Sequence, residues 1–389
     1  MKSDIVNPQG RLAALDGLRG IAALSVVVHH FCCAFLSRYV TGVSDHPSWF
    51  VDTPLGIVVN GRFSVYIFFV LSGFVVSRAA LKSNDPVYVN IPLRYLRLAL
   101  PATASAILAW GLLTLMPNAA TRSSDILSNS WLLHGYQNQI PNIFHALYEG
   151  LIGIFIHGDS GFNNALWTMR IEAIGSMVIY LLYGEKNALI RRELLIALGI
   201  VTLFMPCYFC FLLGALMMEL WSMGKLKFGY PRTALLAGIL LGFPGYGFVK
   251  RLHIPYVRHS RGALQVGEST SLIAPLAAAL ILYAVLNYEP LEKFLSSRIP
   301  RYLGRISFPL YLVHSPLLLT VFASVYVWIN PASKIILLPL FAAFLGCSLI
   351  VANAGEAWID KPVLDKISWT RKKLRSWRSS KNEPITANP

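Results

Sequence analysis

Two imidazoles and a guanidinium share one apolar segment near the amino terminus. In "DGLRGIAALSVVVHHF", residues 16 to 31, Arg19 stands at the mouth behind Asp16, while His29 and His30 lie well inside. A base and a cation on one helix suit group transfer, because an imidazole accepts a proton near neutral pH and an arginine fork holds an anion. At the α-helical rise, His30 lies about 16 Å beyond Arg19 and is turned about 100° from His29. The two rings are therefore expected to face different surroundings. A buried histidine bonded to a neighbouring helix is the competing reading for either.

Further along, Arg94 and Arg97 fall on one helical face. With Arg19 and Arg78 they could form a cationic mouth for a phosphorylated ligand, although arginines at span ends are also ordinary topology signals. Glu172 closes "LWTMRIE", and His314 lies in "LGRISFPLYLVHSPLL", residues 303 to 318, on one face with Ser307 and Tyr311. Polar side chains bonding between helices account for these last three as readily as catalysis does. Cys207 and Cys210 form a C-x-x-C without two further ligands in reach, so packing rather than a metal is expected. "HGDSG", residues 157 to 161, has the composition of a serine nucleophile block, but a triad needs a rigid scaffold and an oxyanion hole, so a turn is expected there.

Composition defines the elements that must position these groups. Of the 389 residues, 55% are hydrophobic and 14% charged, against about 25% charged in soluble domains, and the mean hydropathy is +0.54. This describes an all-α polytopic membrane protein. Apolar segments near the ~20 residues of a span fall at roughly 20–37, 57–77, 98–116, 165–183, 194–206, 208–222, 233–249, 270–287, 306–328 and 335–353, which predicts ten helices. The second is expected to break at Ser72-Gly73, and the fifth and sixth to be parted by the Met205-Pro206-Cys207 corner. A further piece, 143–156, reads as interfacial or re-entrant. The opening lacks a signal-peptide cleavage pattern, so the first helix is retained.

With both termini cytoplasmic, about 25 of the 34 lysines and arginines fall inside. The net charge of +15 reflects this bias and the tail "RKKLRSWRSSK", suited to anionic membrane lipids rather than to nucleic acid. One membrane domain, 1–355, followed by a basic tail, 356–389, is the expected organisation. Outside, Trp131, Tyr136, Lys250, Arg251, Tyr256, Arg258 and Arg261 suit an anionic glycan, or serve as interface anchors.

Taken in order, the Leu15-Asp16-Gly17-Leu18-Arg19 opening, Arg19 followed by His30, "FFVLSGF", the Arg94 and Arg97 pair, "LWTMRIE" and "LGRISFPLYLVHSPLL" resemble the membrane acyltransferase 3 family over about residues 11 to 355. The resemblance implies ten transmembrane helices, an acyl-coenzyme A donor on the cytoplasmic side, most often acetyl-CoA, and sugar hydroxyls as acceptors. It implies an acceptor such as O-antigen, exopolysaccharide or a glycolipid, and residence in a bacterial inner (plasma) membrane. Its arginine and histidine fall on Arg19 and His30, its later pair on Arg94 and Arg97, and its tryptophan-to-glutamate block on Trp167 and Glu172. Where many members carry an aspartate before "FFV", this chain has Tyr66.

Thioester-to-alcohol transfer needs a base for the hydroxyl and charge neutralisation for the donor. The resemblance thus implies that Arg19, Arg94 and Arg97 grip the phosphates and that neutral His30 is the general base in a ternary complex. An acyl-imidazole intermediate is the variant. Glu172 is expected to orient His30 or to bind acceptor hydroxyls, with Asp16, Ser72, Trp167, Ser307, Tyr311 and His314 as pocket lining. The rival class is a transporter or flippase of a glycan or small molecule; no internal repeat or matched pair of interrupted helices supports it.

Overall fold

The computed structural model describes residues 8–40, 43–44, 48–137, 139–242, 272–330 and 333–382. Lys250, Arg251, Tyr256, Arg258 and Arg261, and the second half of the seventh apolar segment, lie outside these. The described residues contain helices and no strand. In chain order they are α1 (Pro8–Phe35), α2 (Gly61–Lys82), α3 (Val87–Leu115), α4 (Ala119–Leu127), α5 (Ile143–Tyr148), α6 (Ile154–His157), α7 (Trp167–Leu182), α8 (Ala188–Val201), α9 (Pro206–Ser222), α10 (Pro231–Gly242), α11 (Ile273–Asn287), α12 (Glu289–Leu295), α13 (Arg298–Leu317), α14 (Ala323–Ile329), α15 (Leu337–Gly355) and α16 (Lys361–Asn382).

In its described residues each of the ten expected spans overlaps a helix, but the count of ten is not met. Among the described residues six helices are long and apolar enough to cross a membrane, or seven if α11 and α12, bent by 94° at their junction, form one broken span. Part of the difference is one of length: Pro206–Ser222 is a shorter apolar helix, and α8 ends in a 3-10 turn, Thr202–Phe204, before Pro206 opens α9. The seventh segment is described only as far as Gly242. Pro206 at the first position lacks only a donor that a helix start leaves unused, so the corner separates two helices rather than kinking one.

Helix α2 is continuous from Gly61 to Lys82, so the break expected at Ser72-Gly73 is absent. Gly73 serves packing instead. A Cβ there would lie 2.1 Å from the Phe211 carbonyl oxygen of α9, and one on Gly214 would lie 2.1 Å from that of Val70. In lipid, burying apolar surface between helices gains little, because the surroundings are equally apolar. Close backbone approach is what dispersion and weak polar contacts need.

The same device joins α1 to α13. A Cβ on Gly20 would meet the Gly304 backbone nitrogen at 2.4 Å, and one on Gly304 the Asp16 carbonyl at 2.3 Å. Ten residues further on each helix, His30 and His314 touch, so the two helices run parallel in matched register for about 15 Å.

The piece expected to be interfacial or re-entrant, 143–156, lies in a short apolar helix, Ile143–His157, below the length of a span. It continues from α5 through a π-turn, Glu149–Gly153, into α6. Along α3, Gly150 packs on Thr103 and the Phe155 ring lies 5.0 Å from that of Tyr95. The chain reverses at Gly158, φ +81, and by Asn163 has returned to Ser105 of α3, 2.8 Å away.

The tail is no loose appendage: α15 passes through a π-turn, Glu356–Asp360, directly into α16. That helix docks on the α2–α3 connection, where Arg375 holds buried Asp85 with bonds of 2.7 and 2.8 Å.

Candidate active site

His30 and His314 form the centre of the site. The Nδ1 of His30 lies 2.8 Å from Nε2 of His314, and the rings stack at 4.9 Å and 24°. His314 is 0% exposed, whereas His30 keeps partial exposure. His29 points elsewhere: its Nδ1 is 2.8 Å from the Val59 carbonyl, and its Nε2 lies 3.5 Å from the Cys33 sulfur. Both of its nitrogens are thereby occupied, which makes it the structural member of the pair.

On the outer side the Trp131 ring lies 5.4 Å from that of His30. Asn129 holds it there. Its side-chain amide donates to the carbonyls of Cys33 (2.7 Å) and Ala34 (2.9 Å) at the end of α1, while its oxygen accepts from the Trp131 backbone N–H at 3.1 Å. The asparagine thus ties the outer segment to the histidine helix.

Toward the inner end the arginines are paired rather than free. Arg94 binds Glu172 through a guanidinium nitrogen and Ser176 through Nε at 3.0 Å. Arg97 binds both oxygens of buried Asp360, the longer bond being 3.2 Å, and lies 4.9 Å above the Phe308 ring. Arg19 is the least committed, 3.7 Å from exposed Asp16 and itself 31% exposed. Arg19 and Arg94 stand within electrostatic reach of Arg97, so the three expected arginines do gather. Arg78 on α2 keeps a buried Nε without a hydrogen-bond partner.

Several expectations change. Glu172 belongs to the arginine tier and does not orient His30; α7 runs antiparallel to α13, with Thr168 on Tyr311 (3.0 Å), so Glu172, one turn further in, lies about 6 Å below that level. Tyr311 and Ser307 are tied into the fold: the Tyr311 hydroxyl donates to the Ala165 carbonyl at 3.0 Å, and Ser307 to its own helix at Gly304, 2.7 Å. Trp167 starts α7 half-buried against the core, and Ser72 is half-buried on α2. The "HGDSG" serine caps a turn. Its oxygen donates to Glu149 at 2.5 Å and accepts from the Phe162 and Asn163 backbone at 3.2 Å, leaving no link to His157. Cys207 and Cys210 are buried free thiols, and among the described residues no cluster of His, Cys, Asp and Glu could hold a metal.

Asp360 and Asn129 escaped the sequence reading. An acid flanked by a basic tail, in "WIDK", was the signal for the first; nothing in the sequence marks the second.

The described residues thus form an apolar helical bundle with a histidine pair above gathered arginines. Comparison with known proteins gives its class. The family model of the acyltransferase domain matches residues 12–353, so the chain belongs to the acyltransferase 3 family and is an integral-membrane O-acyltransferase. The O-acetyltransferase PaAT-1 of Phomopsis amygdali is 26% identical over 373 residues, spanning 79% of this chain and 72% of that protein. No solved structure matches significantly.

Proposed function

We propose that the protein moves an acetyl group from acetyl-coenzyme A, taken from the cytoplasmic side of an inner (plasma) membrane, to a hydroxyl of a glycan or glycolipid. The reading rests chiefly on one observation: a partly exposed imidazole deep in α1 stands between gathered arginines and a tryptophan on the outer side. The O-acetyltransferase relative supports acetyl as the group moved.

His30 acts as general base. It takes the proton of the acceptor hydroxyl while the oxygen attacks the thioester carbonyl, the C–S bond breaks, and the thiolate leaves with the proton. The arginine tier receives the donor phosphates. Each guanidinium has five N–H donors, so Arg94 and Arg97 keep donors to spare beside their carboxylates, and Arg19 is the freest. Trp131 offers an apolar face for a sugar ring on the outer side. The exposed lysines and tryptophans of α16, Trp369 and Trp377 among them, fit an anionic inner leaflet.

Purified protein in detergent, given acetyl-CoA and a surface-glycan extract, is expected to release coenzyme A thiol and to leave an acetyl ester detectable by mass spectrometry. His30→Ala at equal protein should abolish both. Wild-type protein that neither binds nor consumes acetyl-CoA would overturn the reading.

A further inference from the structure

The hydrogen bonds around the two stacked rings fix which nitrogen of His30 is available. The Nδ1 of His314 lies 3.1 Å from the Leu310 carbonyl. A carbonyl only accepts, so in the neutral pair Nδ1 of His314 carries its proton and Nε2 carries a lone pair. That lone pair faces Nδ1 of His30 at 2.8 Å. The proton of His30 therefore sits on Nδ1, pointing at His314, and its Nε2 is left bare. His30 has partial exposure and His314 none, so the ring that meets a substrate is the first and the ring behind it is the second.

We propose that His314 is a positioning residue for acyl transfer: it accepts the Nδ1–H of His30, locks that imidazole in the tautomer whose Nε2 is a free base, and shares the positive charge that appears when Nε2 takes the hydroxyl proton. The inference rests on His30 being the base. His314 fills the place that a buried carboxylate takes in a hydrolytic triad, with one difference: a neutral imidazole needs no counter-charge at this depth, where an unpaired carboxylate would be costly. Its own orientation is set by the helix that bears it, through Leu310 one turn back, and by its neighbour Tyr311, whose ring lies 5.8 Å away and whose hydroxyl is pinned to the Ala165 carbonyl at 3.0 Å. The glycine crossing one lever-arm below sets the spacing between the two helices.

The step balances without a co-reactant. The acceptor O–H bond breaks and an N–H bond forms at Nε2 of His30; the carbon–oxygen ester bond forms as the carbon–sulfur bond breaks; the same proton then passes from Nε2 to the coenzyme A sulfur. The Nδ1 proton stays between the two imidazoles throughout.

Two substitutions separate acceptance from packing. Glutamine places an amide oxygen near the site of Nε2, whereas phenylalanine fills the volume with no acceptor. His314→Phe is expected to lower kcat about a hundredfold while KM for acetyl-CoA stays within about threefold; His314→Gln should recover kcat to within about tenfold of wild type. Equal losses in both folded variants would overturn the proposal, as would a loss confined to KM. Because either variant could fold poorly, nitrogen-15 spectra of histidine-labelled wild-type protein give a direct readout: His30 should show a protonated Nδ1 and an unprotonated Nε2. The opposite tautomer overturns the proposal. Full activity in His30→Ala would instead remove the base reading while leaving the tautomer result standing, so the two failures are distinguishable.

Discussion

The inner tier of the site is made of charges, and the tier above it is made of hydrogen-bonded rings. In the inner tier Arg94, Arg97 and Arg19 each have a carboxylate, and the carboxylates come from three separate segments: Glu172 of α7, Asp360 of the π-turn Glu356–Asp360 and Asp16 of α1. Deeper in, His30 bonds to His314, His314 reaches the Leu310 carbonyl, and Tyr311 beside it donates to the Ala165 carbonyl, with no ion pair among them. Solvation explains the division. Ions near an interface can be hydrated in part and can meet a charged ligand, whereas at mid-depth an uncompensated charge is expensive and a hydrogen-bonded neutral chain is not. On the function proposed above, binding of a polyanion and handling of a proton would fall at different depths.

The largest effect should come from the upper tier. His30→Ala is expected to lower turnover by about 10²- to 10⁴-fold, measured as thiol release at matched protein; a loss under tenfold would break the division of labour. In the lower tier, Glu172→Gln leaves Arg94 partly buried without its charge partner. Breaking a fully buried pair costs about 3–5 kcal/mol, and with side chains 21% and 13% exposed a loss of about 2–3 kcal/mol is expected, read from denaturation in detergent. Arg97→Ala should raise KM for acetyl-CoA about tenfold, or ~1.4 kcal/mol, with kcat changed less than threefold; the reverse split would place Arg97 in the upper tier's work.

Smaller effects sharpen the contrast. His29→Asn keeps a donor for the Val59 carbonyl and should change kcat by less than about threefold, although it adjoins His30. At the tail, the Arg375 hydrogen bonds to Asp85, with Arg371 also near, hold that carboxyl below its usual range. A depressed acid stabilises the docked state above its unfolded value, about 3.9, and that contribution is lost as pH falls through the lower folded value. Amide-exchange protection of α16 should therefore be constant down to about pH 4 and fall only in stronger acid; a decline between pH 7 and 5 would contradict this pair as the anchor.

The all-α class and the positions of the spans were legible from hydropathy, because every long apolar run must satisfy its backbone internally. Span number was not. Length alone could not separate α8 from α9 as full crossings, nor foresee that α11 and α12 bend at a right angle. The arginines and His30 were legible as types at a spacing, and the 100° offset correctly sent His29 elsewhere. Their partners were not legible: Glu172 meets Arg94, 78 positions away, and His314 meets His30 across 284. Such pairings depend on which helices pack together, and that follows from glycine crossings whose meaning appears only in three dimensions.

The fusion of α15 with α16 bears on how the protein should be handled. A truncation drawn where hydropathy ends, at residue 355, would delete Asp360 and leave the Arg97 guanidinium without its carboxylate. A polypeptide trimmed there could still insert and stain as a correct band, yet lack the ion pair that holds that arginine. Expression tags and reporters are better joined at the other terminus, and any deletion series should treat residue 360 as part of the enzyme's working interior.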